Sequence, residues 1–202
     1  MTIDAMLALA AIAVTMTWTP GPNNVMLTAS GATFGLARTF PHAMGVAFGF
    51  PVMLFLVAMG LGGLFETYPL IADVLSWVGF AAMLWFSWKI ATARTDDAPS
   101  DHPTASRPLT LWQAAAFQWV NPKAWTFAVW ITASYASGGD AIVAILVAAL
   151  IFLCSGLGSS MAWTAFGAMI GRVLGNGTRM QVFNVAMAML LLGSAVWLML
   201  TR

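Results

Sequence analysis

Residues 5–29 read AMLALAAIAVTMTWTPGPNNVMLTA, and this stretch decides the fold class. It contains no charged residue and is longer than the ~20 residues that a helix needs to cross the hydrocarbon of a bilayer. Asp4 stands just before it, where a cleavable signal peptide would carry Lys or Arg. The stretch therefore predicts a retained transmembrane helix with a Pro-Gly-Pro interruption inside it.

The rest of the chain has the same character. Hydrophobic residues make up 60% of it and charged residues 7%, whereas a soluble domain has roughly 25% charged residues. Long apolar runs without period-two alternation favour helices over a barrel. The sequence predicts an all-α integral membrane protein with six transmembrane helices, over Ala5–Ala29, Pro41–Leu64, Leu70–Ala91, Leu111–Tyr135, Ala141–Ile170 and Val182–Thr201.

We interpret the chain as one transmembrane transporter domain over residues 1–202. A polar cytoplasmic loop at about 94–108 divides it into repeat one, about 1–93, and repeat two, about 109–202. Because each unit has three spans, the two units must insert as inverted repeats. The side of the membrane with the 1–2, 3–4 and 5–6 loops is assigned the basic residues Arg38, Lys89, Arg94, Arg107, Arg172 and Arg179, against Arg202 on the other side. This asymmetry predicts that both termini are periplasmic.

Proline interrupts two predicted spans, the first and the fourth, which correspond to one another in the two repeats. A proline removes a backbone donor, and the resulting orphan groups are tolerated in a membrane only inside protein or beside a watery cavity. Interrupted helices at corresponding positions of two repeats indicate a transporter binding site. The candidate substrate-binding residues are Thr19, Pro20, Gly21, Pro22, Asn23 and Asn24 in the first span, with Asn121, Pro122 and Lys123 in the fourth. Packing kinks without a ligand are the alternative interpretation.

Lys123 strengthens the prediction of a site. It is placed near the bilayer centre, where a charge costs at least ~2.5–3.5 kcal/mol on insertion scales. We expect Lys123 to pair with the carboxylate of a zwitterionic substrate. The alternative is a lysine that nearby carbonyls satisfy and that has no transport role. We also expect the two interrupted segments to approach one another near the membrane midplane.

At these residues the sequence resembles the LysE/RhtB family of amino-acid exporters. Thr-Pro-Gly-Pro-Asn at 19–23 and Asn-Pro-Lys at 121–123 carry the resemblance, which extends over essentially the whole chain. The segments 45–50, 75–79 and 88–92 are most similar to the cysteine/O-acetylserine exporter branch. Many family members carry an acidic residue where this chain has Phe50.

The resemblance implies export of small neutral amino acids or their derivatives, of the cysteine, O-acetylserine or homoserine/threonine type. It implies a bacterial inner membrane, the proton motive force as the drive, and Pro20–Asn23 with Asn121–Lys123 at the functional centre. The partners expected are a small amino acid and the lipid bilayer, with a homodimer possible. We expect no cofactor, no metal site, no nucleic acid and no enzymatic activity. The alternatives are transport of another small zwitterion or metabolite, an intramembrane enzyme and a non-transporting assembly factor.

Overall fold

The computed structural model describes residues 1–93, 107–135 and 140–200, and all regular structure within these ranges is helical. The helices are α1 Ile3–Trp18, α2 Pro22–Leu56, α3 Gly62–Thr67, α4 Pro69–Ala91, α5 Leu111–Phe117, α6 Pro122–Tyr135, α7 Ala141–Leu174 and α8 Thr178–Leu200. A π-helical turn, Val57–Leu61, follows α2, and a 3-10 turn, Gln118–Val120, joins α5 to the α6 segment. The all-helical prediction is confirmed for the described residues.

Helix α2 contains a sharp turn that the sequence interpretation missed. Gly35 has φ 79° and ψ 171°, a conformation that favours glycine. The hydroxyls of Ser30 and Thr39 lie 3.2 Å apart across this turn, whereas nine residues of straight helix would separate them by about 13 Å. The chain therefore folds back at Gly35. The first predicted span extends beyond Ala29, and the second begins before Pro41, which lies inside α2.

The two prolyl interruptions are present where the sequence places them. Helix α1 ends at Trp18 and α2 begins at Pro22. In the second predicted repeat the helical geometry changes over Gln118–Val120, and α6 begins at Pro122 after Asn121 in extended conformation. Each break leaves a helix with proline in its first turn, where the missing N–H would have no intrahelical partner in any case.

Helix lengths reflect these breaks. Among the described residues, four helical segments are long and apolar enough to cross a membrane, namely Pro22–Leu61, Leu70–Ala91, Ala141–Leu174 and Thr178–Leu200, and Ile3–Trp18 is apolar but shorter. The Pro22–Leu61 segment includes the turn at Gly35, so it is not one straight crossing. The predicted first and fourth spans are divided into shorter helices by their prolines. The count of six spans and the inverted-repeat relationship stay predictions.

Very close helix packing joins α2 to α7. A Cβ on Gly31 would lie 2.3 Å from the Thr164 carbonyl oxygen, and one on Gly167 would lie 2.1 Å from that of Thr28. The two backbones thus approach each other at a distance that admits no side chain, as small residues permit in membranes. A Cβ on Gly171 would meet the Ala32 carbonyl oxygen in the same way, at 2.3 Å, whereas Gly35 forms the turn instead.

Candidate functional site

The two broken segments meet at Lys123. Its ammonium Nζ donates to the carbonyl oxygen of Thr19 at 3.3 Å, and a Cβ on Gly21 would lie 3.2 Å from the same Nζ. Lys123 is half-buried. The expected approach between the first-span break and the fourth-span break is therefore seen directly, with the lysine as the contact.

A second contact joins the segments through an amide pair. Asn23 Nδ2 donates to Gln118 Oε1 at 2.9 Å, and Gln118 Nε2 lies 3.4 Å from Asn23 Oδ1. Gln118 Nε2 also donates to the Ala114 carbonyl at 3.0 Å. Gln118 is buried and was not among the predicted site residues.

Side chains satisfy the carbonyls that the first break releases. Asn24 Nδ2 donates to the Thr17 and Thr19 carbonyls, each at 2.9 Å. Ser159 Oγ on α7 donates to the Thr17 carbonyl at 2.6 Å, so both lone pairs of that oxygen have partners. The Thr19 carbonyl likewise accepts from Asn24 and Lys123. These oxygens are therefore occupied by protein donors, as the cost of an orphan group in a membrane requires.

The second break has a cap of its own. Asn121 is 2% exposed, and its Oδ1 accepts from the Lys123 backbone N–H at 3.1 Å. Trp125 Nε1 donates to the Trp119 carbonyl at 2.7 Å. Asn24 and Asn121 thus form hydrogen bonds with the protein's own backbone. These bonds fix the C-terminal end of α1 and the N-terminal end of α6 beside the lysine.

A cavity of about 60 Å³ lies at the junction. This volume holds a few water molecules or a small polar group. The lining comprises Met16, Thr17, Gly21, Pro22, Asn23, Asn24, Val46, Ala47, Phe50, Gln118, Asn121, Lys123, Ala124, Phe152, Gly156, Ser159 and Ser160. Among these lining residues Lys123 is the one with a formal charge.

Two helix N-termini reach this cavity. Pro22, Asn23 and Asn24 form the first turn of α2, and Lys123 and Ala124 belong to the first turn of α6. The N-terminal end of a helix carries a partial positive charge and unpaired N–H groups, which favour an anion. With Lys123 between them, the electrostatics of the cavity favour a carboxylate or another small anion.

The predicted residues divide into two groups. The cavity lining includes Gly21, Pro22, Asn23, Asn24, Asn121 and Lys123. Thr19, Pro20 and Pro122 are not part of the lining, and Thr19 and Pro20 lie on the surface of the bundle. Thr19 still reaches the site through its carbonyl oxygen.

Helix α7 supplies lining residues that are not among the predicted site residues. Gly156, Ser159 and Ser160 belong to the predicted fifth span. They line the cavity, and Ser159 also binds the Thr17 carbonyl. The clustering of serine and glycine in an otherwise apolar helix was the available signal. Phe50 and Phe152 form the apolar wall, with ring centroids 5.1 Å apart.

A bundle of apolar helices around a positively charged cavity at two helix breaks has the architecture of a membrane transport protein. A family model described as LysE type translocator matches residues 14–202, nearly the whole chain. The chain therefore belongs to the LysE type translocator family, a family of multi-pass membrane translocators rather than enzymes, and the resemblance noted from the motifs is confirmed.

Curated relatives give a similar result. The chain is 27% identical over 179 residues to the cysteine/O-acetylserine efflux protein of Escherichia coli (strain K12). These aligned residues cover 88% of this chain and 89% of that protein. The same values hold for the protein of that name from Shigella flexneri serotype 5b (strain 8401). No solved structure matches the chain significantly.

Proposed function

We propose that this protein exports small neutral amino acids or their derivatives, of the cysteine, O-acetylserine or homoserine/threonine type, across the bacterial cytoplasmic membrane. Membership of a translocator family supports transport as the activity. The names of the relatives support an amino acid or acetylated amino acid as the substrate and efflux as the direction.

The observation that carries the proposal is the position of the Lys123 ammonium between the two broken segments. A zwitterion is costly to move through hydrocarbon, because both of its ends are charged. Lys123 and the first turns of α2 and α6 are suited to the carboxylate. The hydroxyls of Ser159 and Ser160 and the side-chain oxygens of the cavity are the candidate acceptors for the substrate ammonium.

The size of the cavity supports a small substrate. The cavity is small, at about 60 Å³, and Phe50 and Phe152 form its apolar wall. Short side chains therefore fit this site best, which agrees with substrates of the size of cysteine or homoserine.

The helix pairing supports the inverted-repeat arrangement that we propose for residues 1–93 and 109–202. Contacts between the two units join the predicted first span to the fourth at Lys123, and α4, the predicted third span, to α8, the predicted sixth. These are the first and third spans of one unit against their counterparts in the other. A pseudo-twofold axis in the membrane plane would produce this pairing of like with like. We propose that both termini face the periplasm.

We propose that the proton motive force drives export and that Lys123 takes part in the coupling. The position that is acidic in many relatives is Phe50 here, and no acidic residue belongs to the described cavity lining. Lys123 is the ionisable side chain that a substrate carboxylate would contact, so occupancy and protonation would be linked at this group.

The test is transport by purified protein in liposomes loaded with a panel of amino acids. Lys123→Met should reduce efflux of the preferred substrate at least about tenfold, since a charge-assisted hydrogen bond is worth about 1.5–3 kcal/mol. Lys123→Arg keeps the charge and should retain export but alter its proton coupling if titration is needed. Arg172→Met, on the exposed end of α7, is the matched control.

Efflux by Lys123→Met at the wild-type rate, with equal protein incorporation, would make Lys123 a structural residue. Absence of amino-acid flux in the wild-type protein across the whole panel would refute the proposed function itself.

A further inference from the structure

A second cavity, which we call the vestibule, lies nearer the Gly35 turn. Its volume is about 450 Å³. Its lining includes the polar and charged residues Ser30, Thr33, His42, Lys89 and Arg107. From the chemistry of these side chains we infer that the vestibule binds the carboxylate of the transported amino acid before the substrate reaches Lys123. This inference rests on the proposed function.

The vestibule and the Lys123 cavity are adjacent along the same helices. On the second arm of α2, His42 lines the vestibule, whereas Val46 and Phe50 line the central cavity. On the first arm, Asn23 lines the central cavity and Met26 the vestibule. Residues four apart lie on one helix face at a spacing of about 6 Å. The vestibule is therefore one helical turn from the site.

The environment of His42 indicates a ligand. Its side chain is 2% exposed, and its Nδ1 is buried without a hydrogen-bond partner. A buried polar atom without a partner is costly, so native proteins rarely keep one. Nearby Ser30 and Thr39 bind each other, with their hydroxyls 3.2 Å apart. His42 lines the vestibule, so a ligand that enters it would approach this imidazole.

Two cationic side chains give the lining of the vestibule a positive charge. Lys89 and Arg107 are exposed residues of its lining, and the Lys89 ammonium lies 4.2 Å from the centroid of the Trp85 ring. No acidic residue belongs to the described lining. A cleft lined by charge of one sign concentrates ions of the opposite sign. The vestibule is thus suited to an anionic group, and its two cations, Lys89 at the end of α4 and Arg107, are on the side of the membrane that is predicted to be cytoplasmic.

Charged thiol reagents test this inference without relying on transport. In a Cys154→Ala background, His42→Cys or Thr33→Cys places a reporter thiol in the vestibule, and Thr178→Cys places one on the exposed start of α8. Inside-out membrane vesicles present the predicted cytoplasmic face. The reagents are a methanethiosulfonate that carries a sulfonate and its trimethylammonium analogue.

We expect the sulfonate reagent to react about tenfold faster than the ammonium reagent at the vestibule thiols, relative to their ratio at the Thr178→Cys thiol. Adding Lys89→Gln with Arg107→Gln should remove this preference. Cysteine analogues without a thiol, such as serine and O-acetylserine, should slow the reaction. The inference would be overturned if the vestibule thiols did not react, if they showed no preference for the sulfonate reagent, or if no amino acid slowed their reaction with it.

A transport measurement separates this inference from the proposed function. Lys89→Gln with Arg107→Gln should raise the half-saturating substrate concentration severalfold and leave the maximal rate within about twofold of wild type, because the central site is unchanged. If wild-type protein transports amino acids but this variant has unchanged half-saturation, the vestibule inference fails alone. If wild-type protein transports none, the proposed function fails.

Discussion

The Lys123 ammonium donates to the Thr19 carbonyl at 3.3 Å, and this contact joins two segments that are 104 residues apart in the chain. A lysine ammonium bound to a carbonyl has the same chemistry as a substrate ammonium bound there. A carboxylate that attracts Lys123 would weaken this bond and leave a lone pair of the Thr19 oxygen available. Binding of the two ends of an amino acid would therefore be coupled through one side chain.

Gly21→Ala should disturb this contact and spare the fold. Its extended backbone suits alanine, and the new Cβ would lie 3.2 Å from Lys123 Nζ, the end of a flexible side chain. We expect the apparent affinity for substrate to fall about tenfold, equivalent to about 1.4 kcal/mol. Liposome efflux over a range of substrate concentrations measures it. Gly193→Ala, where a Cβ meets nothing within 4 Å, is the control, and equal affinities for the two variants would contradict the expectation.

Asn24→Asp should destabilise the protein by about 1–3 kcal/mol. The substitution keeps the shape of the side chain, but it replaces the amide nitrogen that donates to the Thr17 and Thr19 carbonyls. It also places a carboxyl group at a position that is 7% exposed. Thermal unfolding in detergent measures the change. Ser194→Ala, which removes an exposed hydroxyl bonded within its own helix, should have little effect, and a similar melting temperature for both variants would count against the capping role.

The sequence predicted the interrupted segments because proline chemistry is local. Pro20, Pro22 and Pro122 cannot complete helical hydrogen bonds wherever the chain folds, and a lysine within a predicted membrane span requires a partner. The fold-back at Gly35 was missed because a glycine in an apolar run is equally consistent with close helix packing.

Contributions from other helices could not be predicted from the sequence. Gln118 and Ser159 reach the site because of how the 3-10 turn after α5 and helix α7 are oriented in the bundle. A membrane helix that is apolar on every face gives no periodicity from which to determine that orientation. Local chemistry thus identified the two breaks, and tertiary packing decided which side chains surround them.

The membrane orientation yields a prediction that is independent of the site. We expect Asp4 to be periplasmic and Thr178 cytoplasmic, because the basic residues concentrate on the loops that include Thr178. Asp4→Cys and Thr178→Cys, each with Cys154→Ala, can be labelled in intact cells by an impermeant maleimide. Labelling at position 4 and protection at 178 are expected. The reverse pattern would invert the topology and place the vestibule on the periplasmic side.

Phe50 should set an upper limit on the size of the substrate. Its ring is 7% exposed, lines the Lys123 cavity and packs against Phe152 at 5.1 Å between centroids. Phe50→Ala removes this wall and leaves space beside the position of the substrate side chain. We expect the transport of leucine relative to serine to rise about tenfold, the lower end of the discrimination that one methylene group provides. Phe50→Leu should change the ratio less, because leucine keeps most of the side-chain volume. It also provides a variant that should fold if Phe50→Ala does not.

Phe166→Ala, at an exposed position on α7, controls for removal of an aromatic ring elsewhere. The measurement is competition between leucine and serine in one liposome efflux assay, so that protein amount cancels. A ratio that is unchanged in Phe50→Ala, while total efflux persists, would show that Phe50 does not limit substrate size.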